Sequence, residues 1–233
     1  MDRKDDLNRF YEILGNLRQR VGGCRYLRNC TGKSGWPERG VYLFFENHET
    51  RNDGSTLRVT RVGTHAITAT SRTTLWNRLH THRGHSDGGG NHRASIFRKR
   101  VGEALLQVRN YPDQTHHTWL MGNSAAKSVR ISESGLEHEV SKYIGDMPFL
   151  WLEVNDAPSR TSRRAYMERN CIRLLSSFGK EPIDAPSANW LGNYSFEPTI
   201  RQSGLWNTNH VDEQCDSDFL EVLANFVGDR CPL

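Results

Sequence analysis

The sequence has no run of about 18 apolar residues, which excludes a membrane-spanning helix. Its opening, MDRKDDLNRF, has no apolar segment of the kind a signal peptide requires, so a cytoplasmic protein is expected. It has no CxxC pair, and its five cysteines (Cys24, Cys30, Cys171, Cys215, Cys231) are odd in number and irregularly spaced. That pattern argues against a disulfide framework and against a structural zinc site. His80, His82 and His85 cluster, but no second ligand pair stands at zinc-finger distance from them. Internal repeats, low-complexity stretches and coiled-coil heptads are also missing. What is present is 233 residues with 36% hydrophobic and 25% charged side chains, enough to bury a proper core.

The net charge of +4 conceals an asymmetry. Residues 58–109 carry +8 and residues 181–233 carry −7. The positive segment uses Arg almost throughout, and a guanidinium suits phosphate, which accepts it in bidentate fashion. Arg83, Arg93, Arg98, Lys99 and Arg100 are therefore candidate nucleic-acid contacts. Mutual neutralisation of the two segments across an interface is the competing reading.

Along the chain, Leu7, Phe10, Leu14, Leu17 and Val21 recur at helical spacing until Gly22-Gly23, which predicts an amphipathic helix over 4–21. GVYLFFE (40–46) and TLRVTRVGTH (56–65) read as strands joined by NHETRNDGS, a hairpin with a long connection. A helix beginning near Ser71 and running to Arg83 follows, then a Gly-rich loop over 84–93, then the helix ASIFRKRVGEALLQV with Arg98, Lys99 and Arg100 mostly outward. Residues 110–146 read as a polar, irregular segment with one helix around 133–144. PFLWLEV (148–154) reads as a strand buried on both faces. A helix spans about 160–177, and DSDFLEVLANFV forms a terminal amphipathic helix. Trp190 and Trp206, with their Asn neighbours, are loop anchors or base-contacting residues.

Two helices carry the informative side chains. Arg78 and His82 lie one turn apart on the polar face of the helix that ends at Arg83. On the helix over 160–177, Ala165, Met167, Cys171, Ile172, Leu174, Leu175 and Phe178 fill an apolar arc, and Glu168 falls inside it. A carboxylate aimed at the core requires either an Arg partner or a cation.

The order of a strand with Gly40-Val41-Tyr42, a strand ending in Arg61-Val62-Gly63, a helix with Arg78 and a later helix with an inward Glu168 resembles the GIY-YIG nuclease superfamily. The resemblance spans roughly residues 36–195. Arg61 stands where the superfamily has its second tyrosine, and the hairpin connection is longer than usual. The fold it implies is α+β: a small, twisted, mainly antiparallel sheet flanked by helices. The organisation expected is an N-terminal helical segment (1–35), a nuclease core (36–195) with an insertion at about 110–146, and an acidic helical extension (196–233).

The activity implied is phosphodiester hydrolysis on DNA, double-stranded for preference, by a restriction or defence endonuclease. Glu168 would hold Mg²⁺ or Mn²⁺, Arg78 would clamp the scissile phosphate, and Tyr42 or His82 would take the proton from water. The superfamily also places an Asn after the Glu, for which Asn189 or Asn193 is the candidate. A histidine has the better ordinary pKa for a base near neutrality, whereas a tyrosine would need a strong downward shift. Arg61 is either a second phosphate contact or a solvated side chain. Specificity is expected from 110–146, from 84–93 and from the Trp/Asn-rich loops, since protrusions of this kind read base edges. Cutting both strands calls for two sites, hence a homodimer or a transient pairing. The competing functions are a non-catalytic nucleic-acid-binding module on the same scaffold and a protein-interaction domain.

Overall fold

The computed structural model describes residues 2–228. The predicted α+β architecture is present: a four-stranded, wholly antiparallel sheet with helices on both faces. Its strands are β1 (Arg25–Tyr26), β2 (Gly40–Thr50), β3 (Leu57–Gly63) and β4 (Pro148–Glu153), in the order β1-β4-β2-β3. Alternation along β2 separates two cores. Val41, Leu43 and Phe45 face helices α1 (Arg3–Arg20), α7 (Arg163–Leu175) and α9 (Phe219–Gly228). Tyr42 and Phe44 face α2 (Leu75–Arg83), α3 (Ile96–Val108) and α6 (Ser134–Gly145).

The helix starts follow local chemistry. Thr74, Ser95 and Ser162 each accept a backbone N–H with their side-chain oxygen at the first turn of α2, α3 and α7. Helix α1 ends where Gly22 and Gly23 take φ of +76° and +102°, a region few other residues adopt at low cost. The helix α1 packs on α7 and α9, between which the chain forms the short helix α8 (Pro198–Ser203). No helix among the described residues is long and apolar enough to cross a membrane.

Two expectations change. Strand β2 runs on to Thr50, through bulges after Phe44 and Phe45, so the turn is shorter than NHETRNDGS suggested. Residues 110–146 are largely helical: α4 (Asp113–Trp119), α5 (Lys127–Ser132) and α6, whose Leu136, Val140 and Ile144 are fully buried.

The Arg-rich segment is corrected most. Arg98 is not outward but 0% exposed, donating to Glu137 through Nε (3.1 Å) and to the His82 carbonyl (2.9 Å). Arg93 makes a forked pair with buried Glu133 (2.6 and 2.8 Å). Arg100 pairs with Glu103 and Glu197, and Lys99 stands 4.0 Å from Glu103. Of the five candidate contacts, only Arg83 has no ion pair among the described residues. About half of the +8 of residues 58–109 is thus consumed inside the fold, by Glu49, Glu133, Glu137 and Glu197. A desolvated guanidinium is tolerated there because its donors are matched by carboxylates.

Candidate active site

The antiparallel register sets Tyr42 opposite Gly63 on β3 and opposite Trp151 on β4. Both motif glycines are forced by close approach. A Cβ on Gly63 would overlap the Tyr42 ring and hydroxyl, and one on Gly40 would overlap the Leu152 carbonyl. The Tyr42 side chain is 0% exposed, and its hydroxyl lies 2.8 Å from His82 Nε2. His82 Nδ1 in turn lies 2.8 Å from Ser95 Oγ, which also accepts the Arg98 N–H at the start of α3 (3.2 Å). Both ring nitrogens of His82 are therefore fixed. Burial, then the charges of Arg78, Arg61 and Arg98, hold its pKa well below the ordinary 6.5, so the ring is neutral.

Beside this triad opens a cleft of about 360 Å³. Its wall includes Arg61, Thr64, His65, Arg78, Glu168 and Asn207. Glu168, half-buried, accepts the Thr64 N–H on one carboxylate oxygen (3.0 Å) and forms no ion pair among the described residues. Desolvation raises its pKa, while Arg61, the Thr64 N–H and Arg78 pull it down and recover only part of the shift. Arg61 is 6% exposed, donates to the Trp206 carbonyl (2.8 Å) and sits 4.5 Å over the Phe97 ring. Burial lowers its pKa, opposed by Tyr42 and Glu168, and its Nε is buried with no hydrogen-bond partner among the described residues. His65 Nδ1 donates to the Thr73 carbonyl (3.2 Å), and its Nε2 is a second buried, unpartnered nitrogen.

A family model described as GIY-YIG domain matches residues 1–232. The chain belongs to the GIY-YIG domain family. GIY-YIG domains are endonucleases, so its function is of the nuclease type. No curated protein and no solved structure matches the chain.

Against that GIY-YIG frame, Arg61, Arg78 and Glu168 share one cleft, and Tyr42 and His82 lie together behind it. Arg78 and His82, though one turn apart on α2, do not face one phosphate directly. His82 is 0% exposed and turned to Tyr42, whereas Arg78 is half-buried in the cleft wall. Asn189 is elsewhere, lining a separate cavity of about 730 Å³ with Glu46 and Trp190, and Asn193 binds the carbonyls of Ser187 and Ala188. Two asparagines line the cleft, Asn207 and Asn209, and Asn207 is locked on the Val62 backbone through Oδ1 (3.0 Å) and Nδ2 (2.8 Å). Both tryptophans are anchors: the indoles of Trp190 and Trp206 each donate to Glu46 (2.9 Å).

Sequence reasoning also missed His65 and Ser95. Neither has a spacing that distinguishes it. His65 sits in GTHA directly after the Gly63 motif, and Ser95 signals only a helix cap.

The depressed histidines set a stability prediction. His65 is held at about 4 by burial and by Arg164, Arg78 and Arg39. Its contribution is complete above 6.5, the ordinary value, and is lost between there and about 4, because the unfolded chain takes up a proton that the fold refuses. The slope is at most about 1.4 kcal/mol per pH unit for one histidine. Denaturant unfolding at stepped pH should show that loss, and His65→Gln should flatten it by its own share.

Proposed function

We propose that this chain is a metal-dependent DNA endonuclease of the restriction or defence type, acting on duplex DNA. The observation that carries the reading is a single carboxylate, Glu168, left without an ion pair among the described residues in a cleft whose other charges are Arg61 and Arg78.

The residues fit Mg²⁺ or Mn²⁺. Glu168 has one oxygen on Thr64 and accepts no hydrogen bond on the other, and no group of three or more His, Cys, Asp or Glu stands together among the described residues. A hard ion bound through one carboxylate, waters and substrate phosphate suits such a set. When bound, the ion would relieve charge on the scissile phosphate and on the leaving oxygen.

The protein's own groups supply the rest. Arg78 clamps the phosphate. Arg61, with its orphaned Nε, is the second phosphate contact, and drawing its guanidinium toward the phosphate uncovers Tyr42 to the attacking water. Tyr42 is the base. With Tyr42 protonated, Tyr42, His82 and Ser95 bring three donor hydrogens to the two hydrogen bonds that link them. Once Tyr42 has lost its proton to solvent, Ser95 donates to Nδ1, Nε2–H donates to the phenolic oxygen, no donor is left over, and the phenolate takes the proton of the attacking water. Duplex cutting then pairs two copies, one for each strand.

Plasmid and phage DNA incubated with Mg²⁺ or Mn²⁺ test the reading. The wild type should give discrete fragments that Glu168→Ala and Arg78→Ala, prepared identically, do not. Salt-sensitive binding without cutting by any of the three would leave a nucleic-acid-binding module instead.

A further inference from the structure

Two large aliphatic side chains stand in the wall of the cationic cleft with nearly half their surface in solvent: Ile67 at 45% and Ile96 at 43% exposure. An exposed isoleucine alone means little. The backbone that carries these two is held in place by buried interactions.

Ile67 follows Ala66, whose φ of +53° is left-handed and uncommon for a residue with a side chain. Such strain persists only where the surroundings impose it. Here Arg164, 0% exposed, donates to the carbonyls of His65 (2.8 Å) and Ala66 (3.4 Å) and pairs with Asp156. Thr64 is fixed on Gly40 and Glu168, and His65 on Thr73. A buried guanidinium is thus committed to the bend that presents Ile67. Ile96 opens α3 next to Ser95, the residue bound to His82, so it too is rigidly tied to the catalytic triad.

We infer that Ile67 and Ile96 are apolar wedges that press on the nucleosides flanking the scissile phosphate and open the base step there. This rests on the endonuclease reading of the same cleft. The occupant follows from charge: Arg61 and Arg78 in the wall, with exposed Arg72 on the Ile67 loop, select a polyanion. Immediately beside a backbone phosphate such a strand offers only sugar and base, the surfaces an aliphatic side chain can cover. Aliphatic wedges between base steps unstack and kink a duplex without reading sequence directly. Steps that part easily, such as pyrimidine–purine steps, are then the favoured cutting points.

The test uses the cut site mapped with wild-type protein. A duplex carrying 2-aminopurine beside the scissile phosphate is bound in Ca²⁺, and fluorescence reports unstacking. Wild type should brighten the probe. Ile67→Ala and Ile96→Ala, both at exposed positions, should bind with the probe dark and lower kcat/KM by about tenfold to a hundredfold. A mismatch at the flanking pair should restore most of that loss. Wild-type cutting with a dark probe and with both variants at full kcat/KM overturns the wedge while leaving the nuclease standing. Absence of any cutting by the wild type overturns the endonuclease reading itself.

Discussion

Replacing Glu168 with glutamine should remove metal-dependent cleavage, by on the order of 10³-fold, and at the same time make the protein more stable. The glutamine side chain would keep the acceptor for the Thr64 N–H and nearly the same volume. The stability gain follows from the raised pKa of Glu168: burial costs the carboxylate more than Arg61, Arg78 and Thr64 return. A neutral isostere escapes that cost. A relief of about 1 kcal/mol would appear as a rise in Tm of about 2–4 °C in a chain this size. The sign is checked by pH. The destabilisation of the wild type exists only where Glu168 is ionised, so the gap between the two proteins should be widest near neutrality and should close as pH falls below the ordinary 4.5. A variant that melts earlier than wild type and still cuts would mean that Glu168 is a structural acid, stabilised by its arginines.

The placement of Glu168 shows how far the sequence reaches. A carboxylate inside an apolar helical arc is readable from a 100° step per residue, because α7 is regular and one face is committed to the core. The hairpin and β4 are readable for a similar reason: each is an apolar run bounded by turn residues. Charge is different. The segment containing Arg93, Arg98 and Arg100 looks like a nucleic-acid surface only while its partners are out of sight. Glu133, Glu137 and Glu197 lie 40, 39 and 97 positions beyond their partners Arg93, Arg98 and Arg100, and only tertiary folding sets them against those guanidinia.

The same limit hid Asn207 and misplaced Asn189. An asparagine's role here depends on which backbone it reaches, and Val62 is 145 residues away from Asn207. Helical spacing put Arg78 and His82 on one side of α2. A difference of one turn was nevertheless enough to send His82 under the sheet to Tyr42 and to leave Arg78 in the cleft wall. The two motif glycines gain a physical meaning only from the register, since it is the Tyr42 ring that occupies the space a side chain at Gly63 would need.

The second large effect separates the two candidate bases. Tyr42→Phe should cost about 10²–10⁴-fold in kcat and about 1–3 kcal/mol of stability, the cost of leaving the buried His82 Nε2 unsatisfied, while the ring continues to fill its place between Phe44 and His82. His82→Gln should cost less in kcat, since a side-chain amide can still donate toward the Tyr42 oxygen. The pH profile discriminates further. His82 is held well below 6.5 by burial and three arginines, so the wild-type rate should show no inflection near 6.5. Ionisation of Glu168, displaced upward from the ordinary carboxylate range, should appear as a step on the acid side of the profile. A profile with a step near 6.5 that disappears in His82→Gln, together with a Tyr42→Phe enzyme that still turns over, would assign the proton to His82. The hydrogen-bond chain is compatible with the opposite assignment: with the Tyr42 proton gone, Ser95 donates to His82 Nδ1 and Nε2–H donates to the phenolic oxygen, so every donor has an acceptor.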